Sequence, residues 1–358
     1  MRALCLACAL MIIACSDDEA AVSSAASTSA TGGASASSSS SAGGNGSGAG
    51  GTMPSGDIGI ADGRFVRDGA PFFPVGNFLS SEDGAGPRTH VYLSDDISDG
   101  DRDHMIAVAV ANGYNVFSVY TYNENDYGGE AITPYASGFG GAFDDAKLDV
   151  WEQRLQAVID AGMYPIVWLV PDDAPGIHAA PVTELKSYFE RMVSRFDALP
   201  VLWIMALEAD EYWGGAQIDE LGTHLATLTT RPIGIHQLPG GTDHMTAAWA
   251  DFGAYQYGFG LGWQELFDDT MTIAALLGNK PLIAMEYDLD AGDNDDRLGL
   301  AGAFGGARGV GNGAPMGLAA FMESLPAQMT SSRDDTHAYL DGDGTHAEAD
   351  MNALTFTK

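Results

Sequence analysis

The sequence predicts an α/β fold, a single (β/α)8 barrel in which parallel strands alternate with helices. Three observations lead there. From about Gly56 onward, short apolar runs alternate with segments of helical periodicity. The apolar runs are continuous, as strands buried on both faces of a parallel sheet require. The span 56–325 also has the size usual for such a barrel, roughly 250 residues. A doubly wound open sheet shares the alternation but carries a Gly-rich phosphate loop after its first strand. "VGNFLSSEDGAG" is not such a loop.

Each element has its own signal. "GRFVRDGAPFFPVGNFL" reads as a small hairpin turning at Asp68-Gly69, followed by a strand from Pro71 to Phe78. "DRDHMIAVAVANG" is a helix ending at Gly113, and "YNVFSVYTY" is the next strand. In "DDAKLDVWEQRLQAVIDAG" Leu148, Trp151, Leu155, Val158 and Ile159 recur at helical spacing, and Gly162 closes the helix. "MYPIVWLVPDD" is a strand. "VTELKSYFERMVSRFDALP" sets Leu185, Phe189, Met192, Val193 and Phe196 on one helical face. Then come the strand "VLWIMALEADE", the helix "QIDELGTHLATLTT" and the short strands "RPIGIHQ" and "FGAYQYG". The helix "QELFDDTMTIAALLG", the strand "KPLIAMEY" and the Gly-rich helix "DRLGLAGAFGGARG" follow, with "PMGLAAF" as the expected last strand.

Ahead of the barrel, "MRALCLACALMIIAC" has one basic residue, Arg2, and an apolar run too short for a stable bilayer span, the pattern of a signal peptide over 1–14. Its end, Ile12 to Cys15, resembles the bacterial lipobox, which implies a mature chain that starts at a lipidated Cys15. The other reading is an ordinary secretory signal cut elsewhere. Cys5 and Cys8 fall inside the removed segment, so the lipoprotein reading leaves no disulfide and no Cys-based metal site. Residues 15–55 are dominated by Ser, Gly and Ala and form an expected flexible, low-complexity tether. Ser16 stands where an Asp would resemble an inner-membrane retention signal, so the expected location is extracytoplasmic and lipid-anchored, at the outer membrane. Residues 326–358 are left as a C-terminal extension packed on the barrel. The formal net charge of −33 argues against nucleic acid as a partner.

In a barrel the chemistry lies at the C-terminal ends of the strands. There the sequence offers Asn77 on the first strand and Tyr122, with Tyr120 and Asn123, on the second. Trp168, Asp172 and Asp173 end the third, and Glu208 ends the fourth with Asp210 and Glu211 beyond it. His236 and Gln237 end the fifth, Tyr255, Gln256 and Tyr257 the sixth, and Glu286, Tyr287 and Asp288 the seventh. Aromatic faces with amide and acid groups, and no Lys or Arg, suit a neutral carbohydrate substrate. Individual members have plainer readings: Trp168 as core, His236 as a structural histidine, Asp172-Asp173 as a helix cap. Glu208 and Glu286 form the kind of carboxylate pair that hydrolyses a glycoside, one protonated and one ionised.

A Glu ending the fourth strand and a Glu ending the seventh resembles the arrangement of clan A glycoside hydrolases. "FVRDGAPFFPVGNF", "WEQRLQAVIDAGMYPIVWLVPDD" and "YFERMVSRFDALPVLWIMALEADEYW" look like the cellulase-like and apiosidase-like TIM barrels of that clan. The resemblance covers most of 63–325 and implies a retaining O-glycosyl hydrolase with Glu208 as acid/base and Glu286 as nucleophile. It implies that Tyr257, His236 and Trp168 line the sugar subsites; Asn77, Tyr122, Asp172, Glu211, Tyr255 and Tyr287 join them as expected substrate-binding residues from their places at the strand ends, and no cofactor is expected. Leu207 departs from the pattern, because many clan members place Asn directly before the acid/base, and this leaves Glu211 as the alternative proton donor. The second functional reading is a surface carbohydrate-binding lipoprotein on a barrel scaffold without turnover. "YLDGDGTHAEAD" approaches a calcium loop, but Tyr339 occupies the first ligand position, so a solvated turn is preferred and no metal is expected.

Overall fold

The computed structural model describes residues 56–76, 89–124, 131–172, 174–258, 261–287, 295–311 and 318–324. The expected signal peptide, tether and C-terminal extension lie outside these residues, as do Asn77, Asp173, Asp288 and Cys15. Among the described residues no helix is long and apolar enough to cross a membrane.

The chain opens with a three-stranded antiparallel sheet, β1 (Ile58–Ala61), β2 (Arg64–Arg67) and β3 (Ala70–Pro71). Both of its turns are Asp-Gly pairs in the left-handed region: Asp62 and Gly63 at φ 51° and 71°, Asp68 and Gly69 at φ 52° and 76°. Two positive φ angles in succession define the type I′ hairpin that Asp-Gly favours. The second turn is the one expected above; the same signal at Asp62-Gly63 marks the first. This small sheet sits at the N-terminal mouth of the barrel. Phe65 meets Phe252 edge to face and Phe72 meets Tyr164 likewise, both at 5.3 Å between ring centroids.

The barrel wall is a parallel sheet of seven strands. In sequence order they are β4 (Val116–Tyr120), β5 (Tyr164–Val170), β6 (Leu202–Ala206), β7 (Ile233–Gln237), β8 (Phe252–Gln256), β9 (Leu282–Glu286) and β10 (Gly309–Val310). Segment 74–76 joins the two edges. Val310 N–H donates to Pro74 O at 2.9 Å and Gly76 N–H to Val310 O at 3.1 Å, while Asn115 and Val116 N–H both donate to Val75 O. The Asn115 amide reinforces the seam, accepting from Val75 N–H at 2.7 Å and donating to Phe73 O at 2.9 Å. Segment 74–76 thus takes the place of the first barrel strand, and the ring closes.

The helices follow their sequence signals. Those flanking the wall are α1 (Asp99–Ala111), α2 (Asp145–Asp160), α4 (Val182–Phe196), α6 (Gly215–Ala226), α7 (Trp263–Leu277) and α8 (Asp295–Gly305). α2 begins at Asp144, whose side chain accepts from Lys147 N–H at 3.1 Å, and it buries Leu148, Trp151, Leu155, Val158 and Ile159. α4 buries Leu185, Tyr188, Phe189, Met192, Val193 and Phe196. Two short helices that the sequence pattern does not announce, α3 (Pro175–His178) and α5 (Ala209–Tyr212), follow β5 and β6 at the C-terminal end of the wall.

One strand is corrected. "PMGLAAF" is not the last strand: Leu318–Ser324 is helix α9, and residues 312–317 lie outside those described. The closing strand is Gly309–Val310, at the end of "GGARGV". Its two residues are too few to show a pattern, and Gly309 packs closely there, since a Cβ would lie 3.1 Å from Pro74 Cβ and its carbonyl oxygen. Within the described part of the predicted first strand, 71–76, pairing is limited to Pro71 in β3 and the segment around Val75; residues 77 and 78 lie outside those described.

Candidate active site

Five wall strands deliver polar side chains to one place. Asp172 follows β5, Glu208 follows β6, His236 lies on β7, Gln256 ends β8 and Glu286 ends β9. All five are buried, His236 completely.

Glu208 adopts an unusual backbone conformation, φ 46° and ψ 43°. A non-glycine residue in the left-handed region carries strain of about 1 kcal/mol or more, and such residues cluster at functional sites. Both backbone groups of Glu208 are held. Its N–H donates to Nδ1 of His236 at 3.3 Å, and its carbonyl accepts from Glu211 N–H at 2.8 Å.

Glu286 reaches the site through an irregularity. Leu282 and Ala284 face the helices: Leu282 lies beside Leu277 of α7 near Gly253, and Ala284 meets Gly302 of α8. Strict alternation would send Glu286 the same way. However, the β8–β9 register shifts between Tyr255 and Gln256, so Tyr255 pairs with Ala284 and Gln256 with Glu286. Met285 is the extra residue. This bulge-like step turns Glu286 inward, where its Oε2 lies 3.6 Å from Nε2 of His236.

The electrostatics follow from burial and like charge. Burial raises the Glu208 carboxyl to about 8, with Asp172 and Glu286 adding to the rise. Burial, then Asp172, raises Glu286 to about 7. The Gln256 amide stands beside both carboxyls and opposes both shifts. Both carboxyls are thus held protonated to higher pH than an exposed glutamate. His236 is held neutral by burial, its pKa depressed to about 3.

A layer of rings supports the cluster from within the wall. His90 lies 5.1 Å from Tyr120, Tyr120 6.1 Å from Trp168, and Trp168 5.7 Å edge-on from His236, all between ring centroids. Trp168 is completely buried, so it acts as a wall beneath His236 rather than as an open stacking face.

The other expected site residues sort by strand face. Tyr255 and Tyr257 stand opposite Gln256 in the alternation of β8. Tyr257 hydrogen-bonds Thr270 of α7, and Tyr255 accepts from Gly240 N–H at 3.1 Å. Both therefore face the helical layer, with Tyr287 packed edge-on to Tyr257 at 6.5 Å. This corrects the expectation that Tyr257 lines the sugar pocket. Gln256, flanked by two tyrosines, is the residue of that strand end that enters the cluster, and period-two alternation is the signal that separates them. Tyr122 donates to Glu124 at 2.5 Å, and Glu124 accepts from Gly176 N–H at 3.0 Å, which ties the loop after β4 to α3.

Glu211 is exposed, and its carboxyl stands beside that of Glu208 and adds to the rise of the Glu208 pKa. Oxygens of Asp172, Glu208 and Glu211 lie within 4.8 Å of one another, close enough to share a proton or to hold a cation.

The sequence matches no family model and no curated protein. The structure, by contrast, is similar to solved barrels. A glycoside hydrolase family 5 protein from Bacteroides vulgatus aligns with TM-score 0.56 and 16% identity over 78% of this chain and 67% of that one. An exo-β-1,4-mannosidase from an Opitutaceae bacterium aligns with TM-score 0.51 and 13% identity, over 78% of this chain and 58% of that one. A family 5 mannosidase from Rhizomucor miehei aligns with TM-score 0.52 and 13% identity, over 71% and 85%. The chain thus spans less than three fifths of the Opitutaceae enzyme. The fold is that of the family 5 barrels of clan A, as the sequence resemblance implied.

Proposed function

We propose that this chain is a retaining glycoside hydrolase in which Glu286 is the nucleophile and Glu208 the acid/base. The observation that carries the reading is the meeting of these two buried acids, from the fourth and seventh barrel strand ends, at one histidine: Glu208 N–H donates to His236 Nδ1 at 3.3 Å, and Glu286 Oε2 lies 3.6 Å from His236 Nε2. Two buried carboxyls that share one site suit double displacement, in which they stand roughly 5 Å apart.

The chemistry needs one carboxyl ionised and the other protonated. Ionised Glu286 attacks the anomeric carbon as the bond to the leaving oxygen breaks, and protonated Glu208 gives its proton to that oxygen. With Glu286 esterified, the negative charge that helped to raise Glu208 is gone, and the ionised Glu208 then takes a proton from water. That water attacks the anomeric carbon and releases Glu286 with net retention. Glu208 is preferred to Glu211 as donor because burial and like charge keep it protonated near neutrality.

The substrate is a neutral oligo- or polysaccharide, since the strand ends offer acids, amides and rings but no Lys or Arg. The mannosidases among the similar structures make aryl β-mannosides the first substrates to try, with β-glucosides beside them. The amino-terminal sequence supports a lipid anchor on Cys15 and an extracytoplasmic site of action, expected at the outer membrane.

The test is hydrolysis of these glycosides with the anomer of the first product followed by proton NMR. Wild type should release the retained anomer, Glu286→Gln none, and Glu208→Gln should lose activity mainly on poor leaving groups, with azide restoring turnover. Binding of a glycan without product in wild type would favour the surface-binding reading instead. Release of the inverted anomer would remove the nucleophile role from Glu286.

A further inference from the structure

We propose that His236 is a positioning residue that sets both carboxyls at once, holding the backbone of Glu208 with one ring nitrogen and presenting a proton to Glu286 with the other. The kinetic half of this inference rests on the glycosidase reading above; the structural half does not.

Donors and acceptors fix the tautomer. A neutral imidazole has one of each. Nδ1 of His236 faces the Glu208 N–H at 3.3 Å, and an N–H can only donate, so Nδ1 must be the acceptor. The proton therefore resides on Nε2. That nitrogen faces Glu286 Oε2 at 3.6 Å, poised to shorten into a hydrogen bond when the carboxylate is ionised. The ring itself cannot swing away: it is completely buried, with Trp168 edge-on at 5.7 Å.

The two contacts solve separate problems. Glu208 sits in a strained left-handed conformation, and a fixed acceptor for its N–H helps to hold it there. Glu286 arrives through a register shift, and a donor across the barrel fixes where the re-aimed carboxylate comes to rest. His236 thus couples the proton donor on one strand end to the nucleophile three strands away. Its ring is completely buried, which distinguishes this role from that of a sugar-lining residue.

Two substitutions divide the roles. His236→Asn keeps a carbonyl oxygen near the Nδ1 position but has nothing at Nε2. His236→Gln keeps an amide donor near Nε2 but lacks the Nδ1 acceptor. Among the described residues, the titratable groups that face Glu286 are Asp172 from the end of β5, Glu208 from the end of β6 and His236 itself. Loss of a donor to a carboxylate raises its pKa. His236→Asn should therefore move the acid limb of the kcat/KM profile upward by about one pH unit and lower kcat roughly 10- to 100-fold, the effect of one hydrogen bond to a charged group. His236→Gln should leave the acid limb in place. It should slow phenyl glycosides, which need the acid, more than dinitrophenyl glycosides, which do not. Equal losses on every leaving group with no movement of either limb, in variants that melt like wild type, would reduce His236 to a structural residue and overturn the proposal.

A measurement independent of turnover keeps the inference apart from the function. In 15N-histidine NMR, with the His236 resonances assigned by difference from His236→Asn, the ring should stay neutral with the proton on Nε2 from pH 5 to 9. A proton on Nδ1, or a ring that titrates in that range, overturns the proposal even if hydrolysis is found. Conversely, the Nε2 tautomer in a protein inactive on every glycoside would uphold the geometry while the glycosidase reading fails.

Discussion

Gln256 and Glu286 face each other across β8 and β9 one step beyond a register shift, and the Gln256 amide also stands beside Glu208. The amide there favours the ionised form of each carboxyl. Replacement by Met keeps the volume and removes the amide. Gln256→Met should raise both carboxyl pKa values, move the acid limb of kcat/KM upward by about one unit and lower kcat/KM at pH 6 about tenfold. A profile superimposable on wild type would show that Gln256 only fills space.

Asp172 acts with the opposite sign. Its proximity raises both Glu208 and Glu286. Asp172→Asn removes that repulsion, so both limbs of the pH profile should move toward acid by about one unit. At pH 5 the variant should gain on wild type, because more Glu286 is ionised. Above pH 8 it should lose, because Glu208 gives up its proton earlier. Opposite movements of the two limbs would show that Asp172 does not act on the two carboxyls through charge alone.

The same two glutamates link function to stability. Their folded pKa values, about 8 and about 7, lie above the ordinary value near 4.5. Between those limits the folded state binds more protons than the unfolded chain, so stability falls as pH rises from about 4.5 through 7 and 8. Gln mimics the protonated form without the penalty. Glu208→Gln and Glu286→Gln should each melt several degrees above wild type at pH 8, and the gain should vanish near pH 4. His236 works from the other side. Its pKa is depressed to about 3, so the stability of the neutral ring is present above about pH 6.5 and is lost as pH falls toward 3. Thermal melts across pH 4–9 read both slopes.

Ring closure is the fourth test. The Asn115 side chain spans the seam between segment 74–76 and β4 with one accepted and one donated hydrogen bond. Asn115→Ala leaves Val75 N–H and Phe73 O without these partners and should cost roughly 1–3 kcal/mol in urea unfolding. Asn115→Asp keeps the acceptor and loses the donor, so it should fall between the two. A neutral Asn115→Ala would mean that Val75 O, with its two backbone donors, suffices to close the ring.

Much of this protein is decided locally. The apolar runs of β4 to β9, the helical stripes of α2 and α4 and the Asp-Gly turns each follow from a few neighbouring residues, because burial on both sheet faces, the 3.6-residue period and positive φ angles are local demands. The same runs end in Glu208 and Glu286, so the carboxylate pair is legible in the sequence itself. What only the tertiary structure decided depends on pairing across strands. Two-residue β10 shows no pattern of its own and forms only because β9 and segment 74–76 flank it. Alternation along "LIAME" points Glu286 at the helices; the slipped register against β8 points it at His236. Gln256 is hidden between two tyrosines whose rings belong to the helical layer. Register is a relation between segments far apart in the chain, and a shift of one residue reverses the face of a strand. For that reason the chain alone names the two acids, and the closed sheet alone brings them together.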